Sequence, residues 1–234
     1  MIAAAFVFLW LDVETGAVKG GDWPDADKPA QVGSLMKPFT ALAYAQSHGF
    51  AYPEVTCLRC WSARAHGRVD VIRAMAHSCN SYFRRLAEGA EGLGALAARF
   101  GLRAPADGAD ARIGLGAGWP VGPTALLRAY VELVRRRAEP GVGPLVAGLR
   151  ESAKSGTGKG IGLDALVKTG TAECVHGGAP GDGYAVGLYP AGQPRVAVLV
   201  RVHGRPGSDA AVVVGELIKK GRGGYPRPSV LSAQ

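Results

Sequence analysis

The chain has 234 residues, of which 47% are hydrophobic and 20% are charged, and its formal net charge is +8. This balance predicts a globular protein with a substantial core and argues against disorder over most of the length. The longest run of basic residues is Arg135, Arg136 and Arg137, and aromatic residues are not interleaved with the basic ones. The basic charge therefore does not indicate a nucleic-acid partner.

The chain opens with an apolar stretch that ends at Asp12. It is shorter than the roughly 20 residues that a bilayer-spanning helix needs, and it lacks the basic start and the cleavage site of a signal peptide. Phe6, Phe8 and Trp10 favour strands, so we predict a buried strand over 1–11. If the protein acts outside the cytoplasm, its export signal has been removed or lies outside this sequence.

Turn chemistry at 14–16 predicts a hairpin whose second arm is 17–20, followed by a loop over 21–31. Further along, hydrophobic periodicity and glycine-dense loops mark the remaining elements. The later predicted strands are 166–172, 184–189 and 195–202. The predicted helices are 34–47, 69–76, 80–88, 93–100, 124–137 and 209–220. Irregular structure is predicted at 50–67, 104–120 and 155–162.

Strands therefore lie at both ends of the chain, and most helices lie between them. One sheet assembled from the two termini, with a helical lobe inserted, buries the apolar faces of both. We predict a single α+β domain over 1–234, with a sheet lobe at 1–33 and 160–220 and a helical lobe at 50–150. The last residues, 221–234, are predicted to form a flexible tail.

Cys57 and Cys60 form a C-x-x-C pair, and His66 follows six residues later. Three interpretations stay open: a metal site, a redox-sensitive pair or disulfide, and small, partly buried side chains. A zinc site needs two further ligands, and no second pair occurs at a usual spacing. The sequence alone therefore assigns no metal and no cofactor to the chain.

Ser34 and Lys37 form an S-x-x-K motif at the start of the predicted helix over 34–47. Side chains three residues apart project from one face of a helix, so the hydroxyl and the amine are expected close together. Pro38 has no N–H to bond back to residue 34, so the helix begins about at Ser34 and offers N–H groups to a developing oxyanion. A lysine among apolar neighbours such as Phe39 can act as a base toward the serine.

Asn80 is the only asparagine of the chain, and it follows Ser78 by two residues between apolar helical segments. In a catalytic interpretation, Ser78 relays a proton between Lys37, Lys168 and the leaving group. Asn80 would then bind a backbone amide of the substrate. The alternative is that Ser78 or Asn80 only caps a helix.

Lys168, Thr169, Gly170 and Thr171 lie on a predicted strand, where alternation sends Lys168 and Gly170 to one face and the two threonines to the other. Gly170 would let a ligand approach the backbone, and Lys168 would direct positive charge toward the other two motifs. Thr171 would bind a carboxylate. A rival Lys-Ser-Gly triplet begins at Lys154 but lies in a glycine-dense segment, so we prefer Lys168. An exposed edge strand is the alternative.

The ordered trio of S-x-x-K, S-x-N and K-T-G resembles the signature of penicillin-binding transpeptidases and serine β-lactamases. The resemblance to the penicillin-binding transpeptidases runs from about residue 4 to residue 220. The segments that carry it are 13–16, 34–40, 67–70, 76–83, 113–116 with 123–124, 155–158 and 167–173.

The resemblance implies a mainly antiparallel five-stranded sheet flanked by helices, beside an all-helical lobe, with the site in the cleft between them. It implies that Ser34 is acylated, that Lys37 activates it, and that the backbone N–H groups of Ser34 and Thr171 form the oxyanion hole. Ser78 and Lys168 complete the catalytic set. The implied substrate-binding residues are Asn80, Thr169, Gly170 and Thr171.

The activity that the resemblance implies is that of a penicillin-sensitive DD-transpeptidase or DD-carboxypeptidase. Its substrate is the D-alanyl-D-alanine stem peptide of peptidoglycan, and β-lactams would acylate it. The implied location is extracytoplasmic, in the periplasm or cell envelope, with an envelope protein as a further partner that supplies localisation.

Two other functions remain open. Ser34 and Ser78 are 44 residues apart, and Ser78 and Lys168 are 90 residues apart. These spacings are closer to those of class D β-lactamases and related antibiotic-sensor domains. A β-lactamase of class D usually has an apolar residue where Asn80 stands, and the class A Glu-x-x-x-Asn element is missing because this asparagine is already committed. A non-catalytic β-lactam or muropeptide sensor, or a scaffold, is the other alternative.

Overall fold

Strands from both ends of the chain form one sheet, as the sequence predicts. The computed structural model describes residues 5–60, 65–175, 177 and 181–221. The strands in this part of the chain are β1 (Phe6–Asp12), β2 (Val18–Gly21), β3 (Val55–Cys57), β4 (Gly67–Val69), β5 (Leu166–Ala172), β6 (Asp182–Tyr189) and β7 (Val196–Val202). The large sheet has the order β2-β1-β7-β6-β5, and every neighbouring pair is antiparallel. The predicted α+β class with a five-stranded sheet is confirmed.

Helices occupy the middle of the chain, and one helix closes it. They are α1 (Lys37–Ser47), α2 (Val71–Ala76), α3 (Asn80–Glu88), α4 (Leu93–Arg99), α5 (Ala109–Arg112), α6 (Pro123–Arg135), α7 (Val142–Lys154) and α8 (Gly207–Lys220). No helix among the described residues is long and apolar enough to cross a membrane. The predicted tail, apart from Gly221, and the first four residues of the predicted opening strand lie outside the described residues.

Both faces of the large sheet are buried, because strand alternation sends apolar side chains to each side. Phe8 and Trp10 of β1 pack with the apolar face of α8, whereas Leu9 and Leu11 join the larger core of the helical lobe. The sheet therefore lies between α8 on one side and the remaining helices on the other. This layering leaves the edge strand β5 beside the helical lobe.

The segment that carries Ser34 departs slightly from the predicted continuous helix over 34–47. A 3-10 turn covers Gly33–Met36, and α1 starts at Lys37 with Pro38 in its first turn. Proline is tolerated there because the first N–H groups of a helix have no partner within it. Ser34 consequently lies on the turn that leads into the helix.

Helix α7 was missed by the sequence analysis because Gly143, Pro144 and Gly148 interrupt its apolar pattern. Gly148 has a packing reason: a Cβ at this position would lie 2.6 Å from Cβ of Met75 in α2. The two helices approach each other closely at this point, and a larger residue would push them apart. Tertiary packing here overrides the low helix propensity of glycine.

The segment predicted as irregular contains a short hairpin. Strand β3 pairs with β4, with Cys57 opposite Gly67. Residue 69, predicted to start a helix, therefore ends a strand. Helix α2 begins two residues later, where the carboxylate of Asp70 accepts a hydrogen bond of 2.8 Å from the backbone N–H of Arg73. This N-cap satisfies one of the unpaired donors of the first turn.

Candidate active site

A cleft of about 490 Å³ opens between β5, the start of α8 and the helical lobe. Six of the eight residues that the sequence analysis assigned to the site line it: Ser34, Ser78, Asn80, Thr169, Gly170 and Thr171. The other two, Lys37 and Lys168, are fully buried. The structure therefore brings segments from three distant parts of the chain to one cleft.

The two lysines share one hydroxyl. Ser78 Oγ lies 3.1 Å from Lys37 Nζ and 2.8 Å from Lys168 Nζ, each amine donating to the oxygen. Lys37 also donates to the Ser78 carbonyl at 2.8 Å and to Asn80 Oδ1 at 2.5 Å. Lys168 donates to the Thr169 carbonyl at 2.8 Å. The hydroxyl of Ser78 is thus a bridge along which a proton can pass between two amines.

Neither lysine has a carboxylate partner among the ion pairs of the described residues, although both are fully buried. Burial lowers the pKa of Lys37 from 10.5 to about 7. Burial, together with the charge of Lys37, lowers the pKa of Lys168 well below its usual value. Two ammonium groups on one oxygen repel each other in a site with little water. Loss of a proton from one amine relieves this repulsion, so the arrangement suits a base.

The hydrogen bonds of the Lys37 amine run to Ser78 and Asn80, and none of those found in the described part of the chain runs to Ser34. That the amine lies close to the Ser34 hydroxyl stays a prediction. The Nζ atom of Lys37 lies over the ring of Phe83, 5.4 Å from the ring centre. Bases and nucleophiles are often loosely paired before substrate binds.

The turn that carries Ser34 is wedged between two backbone segments. A Cβ on Gly33, where φ is +59°, would lie 2.3 Å from the carbonyl oxygen of Thr171. A Cβ on Gly114 would lie 2.1 Å from the carbonyl oxygen of Gly33. Backbone therefore packs directly on backbone: β5 contacts the turn that carries Ser34, and this turn contacts the loop that contains Gly114. These contacts set the position of Ser34 relative to Thr171 without any side chain.

Gly170 belongs to the same packing. A Cβ there would lie 2.3 Å from the carbonyl oxygen of Val32, so the chain's own turn occupies the face that the sequence analysis reserved for a ligand. The glycine nevertheless lines the cleft along the strand.

Tyr130 of α6 also stabilises the turn that carries Ser34, because its hydroxyl donates to the carbonyl of Leu35 at 2.6 Å. The sequence analysis did not single out this residue.

Hydroxyl groups line the cleft next to β5. Thr169 Oγ1 and Thr157 Oγ1 lie 2.6 Å apart, and the Thr171 hydroxyl accepts a hydrogen bond of 3.2 Å from the N–H of Gly207. The hydroxyl hydrogen of Thr171 remains able to donate. The sequence analysis did not single out Thr157, because its segment was predicted to be a loop. The hydroxyl contact with Thr169 shows that Thr157 lies next to β5. Together with buried Lys168, these hydroxyls suit an anionic group.

The rival triplet occupies a different environment. Lys154 is the last residue of α7 and is exposed, whereas Lys168 is fully buried against Ser78. Only the second lysine reaches the other motifs. The preference for Lys168 therefore agrees with the arrangement of the chain.

Ser78 has an unusual backbone. Its φ is +53°, a left-handed conformation that costs a residue with a Cβ about 1 kcal/mol or more. The neighbouring backbone holds it: Cys79 N–H donates to the Ala74 carbonyl at 2.9 Å, and Thr157 N–H donates to the Ala76 carbonyl at 3.0 Å. Strain of this kind concentrates at functional sites, where it aims a side chain.

Two groups of side chains have the composition of metal ligands. Cys57, Cys60, His66 and Cys79 place their ligand atoms within 4.8 Å of one another, and a second group joins Cys174, Asp182 and His203. All four cysteines carry free thiols. The first group adjoins the site, since Cys79 stands between Ser78 and Asn80.

Comparisons with known proteins bear on the fold. No protein-family model matches the chain, and no curated protein matches it. Among solved structures, PBP2 of Pseudomonas aeruginosa in complex with WCK 5153 is 17% identical with a TM-score of 0.77, and the match covers 98% of this chain and 77% of that one. The transpeptidase domain of penicillin-binding protein 3 from Burkholderia pseudomallei is 19% identical with a TM-score of 0.72, over 93% and 89% of the two chains.

A third structure is the D,D-transpeptidase domain of a peptidoglycan glycosyltransferase from Eggerthella lenta. It is 18% identical with a TM-score of 0.70, and the match covers 94% of this chain and 79% of that chain. At such identities a match identifies the architecture and not the activity. The sheet order, the helical lobe and these matches together show that the chain has the fold of penicillin-binding transpeptidase domains.

Proposed function

We propose that the chain is a serine acyltransferase that acts on the D-alanyl-D-alanine end of peptidoglycan stem peptides, as a DD-transpeptidase or DD-carboxypeptidase. β-Lactams would acylate the same residue, Ser34. The observation that carries the proposal is the Ser78 hydroxyl, which contacts both buried amines in a cleft that Ser34 also lines. A hydroxyl nucleophile, a neutral amine and a relay hydroxyl are what acyl transfer at a serine requires.

Acylation would begin when the Lys37 amine takes the proton of Ser34 while Ser34 Oγ bonds to the carbonyl carbon of the penultimate D-alanine. The carbonyl electrons move to oxygen, and the N–H groups of Ser34 and Thr171 would stabilise the negative charge. The bond from that carbon to the last D-alanine nitrogen then breaks. The nitrogen receives its proton through Ser78, and the peptide stays esterified to Ser34.

Deacylation reverses these roles. An amine from a second stem peptide, or water, attacks the ester carbon and gives up a proton to the same amine pair as the new bond forms. The bond to Ser34 Oγ breaks, and the hydroxyl takes back a proton. With a β-lactam, the bond that breaks in the first step is the ring amide, and the leaving nitrogen stays attached to the acyl group.

Substrate recognition would use the hydroxyl-lined part of the cleft. Thr169 and Thr171 would donate to the terminal carboxylate, and the positive charge of Lys168 would lie behind them. A carboxylate there supplies the counter-charge that Lys168 lacks within the protein, which stabilises the protonated form of Lys168. The carboxamide of Asn80 is held by Lys37 through its oxygen, so its NH₂ group can donate to a substrate carbonyl.

Peptidoglycan lies outside the cytoplasm, so the proposal also implies an extracytoplasmic site of action. The stem peptide and β-lactams are then the small-molecule partners, and an envelope protein would supply localisation. The neighbours named above are transpeptidases and penicillin-binding proteins, which supports this assignment by fold.

A class D-like β-lactamase is less well supported. That route needs a carbamylated lysine, which carries acceptor oxygens at the end of the side chain. The atoms within hydrogen-bond distance of Lys37 Nζ include the Ser78 carbonyl and Asn80 Oδ1, which are acceptors themselves. A carbamate would therefore meet two like dipoles, whereas an amine donates to both.

The experiment is to incubate the purified chain with a fluorescent penicillin and to measure intact mass. The proposal expects one adduct on the wild-type chain and none on Ser34→Ala. A matched control is Ser47→Ala, since Ser47 is an exposed residue at the end of α1. An adduct that persists in Ser34→Ala, or a folded wild type that never forms one, overturns the proposal.

A second readout separates the alternatives. Release of D-alanine from a stem-peptide substrate supports the DD-peptidase or transpeptidase assignment. Rapid, repeated hydrolysis of nitrocefin would instead favour the β-lactamase. Stable acylation without release of D-alanine would favour a sensor or scaffold.

A further inference from the structure

The four side chains Cys57, Cys60, His66 and Cys79 form a compact cluster beside the cleft, which we call the thiol cluster. Its ligand atoms lie within 4.8 Å of one another. Cys57 and Cys79 are buried, and Cys60 and His66 are half-buried. The sequence suggested the two cysteines of the C-x-x-C pair and His66. The fourth member, Cys79, is the residue just before α3, and the fold brings it to the other three.

Two distances within the thiol cluster match those of a tetrahedral site. A zinc ion with Zn–S bonds of about 2.3 Å places tetrahedral ligand atoms about 3.8 Å apart. Cys60 Sγ and Cys79 Sγ are 3.8 Å apart, and Cys57 Sγ lies 3.7 Å from His66 Nδ1. Two sulfurs joined in a disulfide would lie only about 2.0 Å apart.

The surroundings of the thiol cluster also suit metal-bound thiolates. The backbone N–H of Asn80 donates to Cys60 Sγ at 3.2 Å. A donor of this kind stabilises the charge on a ligating sulfur and orients it. The His66 ring stacks on His77, with ring centres 5.8 Å apart, which limits its rotation.

We propose that the thiol cluster is a structural binding site for one zinc ion, with Cys57, Cys60, His66 and Cys79 as its four ligands. Three thiolates and one imidazole form a ligand set that zinc takes in closed tetrahedral sites. With four protein ligands no position is left for substrate, so the ion would have no direct part in the reaction. This departs from the sequence analysis, which assigned no metal because a second ligand pair was missing at the usual spacing.

The position of Cys79 gives the metal site a second consequence. This ligand stands between Ser78, whose backbone is strained at φ +53°, and Asn80, whose N–H contacts the ligand Cys60. Lys37 contacts both Ser78 and Asn80 on the other side. A metal that anchors Cys60 and Cys79 therefore holds the relay serine and the carboxamide in place. The cysteines would act as positioning residues and not as catalytic ones.

Metal content tests the site without reference to activity. The chain is purified without chelators, and its metals are measured by mass spectrometry, with about one zinc per chain expected. Replacement by Co²⁺ should give the visible absorption of tetrahedral cobalt and intense sulfur-to-cobalt charge-transfer bands. Cys60→Ser should weaken metal binding by about 100-fold or more, because a ligand is lost. Ser47→Ala is the control, since Ser47 is exposed and lies outside both candidate ligand groups, and it should bind zinc like the wild type.

Two outcomes overturn the proposal. One is a folded wild-type chain, checked by circular dichroism, that neither retains zinc nor gives thiolate bands with Co²⁺. The other is an intact mass lower by two hydrogen atoms without reductant, which would identify a redox pair. Because both measurements use the wild type, they remain valid if Cys60→Ser fails to fold.

A further arm measures the positioning role and rests on the proposed function. Removal of zinc by a chelator should slow acylation by penicillin about tenfold while secondary structure is kept, and added zinc should restore the rate. Unchanged acylation after verified removal overturns the positioning role. A chain that binds zinc but is never acylated contradicts the proposed function and leaves the metal site in place, so the two failures are distinguishable.

Discussion

Gly33 and Thr171 are in direct backbone contact: a Cβ on Gly33 would lie 2.3 Å from the Thr171 carbonyl oxygen. This contact joins the turn of the proposed nucleophile to the strand that would supply the second oxyanion donor. The distance between the N–H groups of Ser34 and Thr171 therefore depends on Gly33, because a glycine lets the two backbones approach.

Gly33→Ala should separate the two backbones and slow acylation about 100-fold, because displacements near 1 Å at a reacting centre have costs of this size. The matched control is Gly49→Ala, at a similar φ of +62° with no atom within 4 Å of the added Cβ. In both variants the left-handed backbone strain should lower the free energy of unfolding by about 1 kcal/mol. Acylation kinetics should fall in Gly33→Ala alone. Equal rates in the two variants would contradict this role.

Lys168→Met should reduce the acylation rate about 100-fold or more, because it removes one amine from the Ser78 hydroxyl and the charge behind the carboxylate site. The fold should be kept, since methionine fills the space and a buried ammonium without a carboxylate partner is lost. Lys154→Met, at the exposed end of α7, is the control and should react like the wild type. Stopped-flow acylation and thermal melts measure both effects. Rapid acylation of Lys168→Met would remove this lysine from the mechanism.

Ser78→Ala and Ser78→Gly should lose acylation to a similar extent, because both lack the bridging hydroxyl. Their stabilities should differ, since Ser78 has a φ of +53° that glycine adopts without strain. Ser78→Gly should therefore be more stable than Ser78→Ala by about 1 kcal/mol. Urea unfolding of the two variants measures the difference. If alanine proves as stable as glycine, the strain at this position is not real.

The rate of acylation should rise with pH through about 7, because burial lowers the pKa of Lys37 to about 7 and the neutral amine is the base. The pH profile of acylation between pH 5 and 9 measures this, with Cys174→Ser as a control that should follow the wild type. A rate that stays flat or falls over this range would contradict the assignment of Lys37 as the base.

The same pKa shift has a stability consequence of definite sign. Between pH 7 and the ordinary lysine pKa, the unfolded chain holds a proton on Lys37 that the folded chain has released, so folded stability increases with pH. The slope for one such group approaches about 1.4 kcal/mol per pH unit. Lys37→Met removes this contribution, so the stability of the wild type relative to the variant should rise from pH 7 to pH 9. Urea unfolding at both values tests it.

The local patterns of the sequence predicted much of the architecture. Strand β5 was predicted with its observed bounds, Leu166–Ala172. Helix α7 was not predicted, because its glycines and proline hide the apolar stripe, and its close contact with α2 is a tertiary property. The β3–β4 hairpin was missed for a related reason: strands of three residues are too short to show alternation.

The amino-acid sequence by itself singled out eight residues, because they occur as ordered motifs with a chemical meaning. Six of them line the cleft, and Lys37 and Lys168 are buried beside it. The sequence also determined the α+β class, since hydrophobic periodicity is a local property.

Only the tertiary structure decided how those groups meet. The sharing of one hydroxyl by two buried lysines, the backbone contact of Gly33 with Thr171, and the addition of Cys79 to the Cys57, Cys60 and His66 set all join residues far apart in the chain. Such contacts depend on how helices and strands pack, and packing is not encoded in the spacing of any one motif.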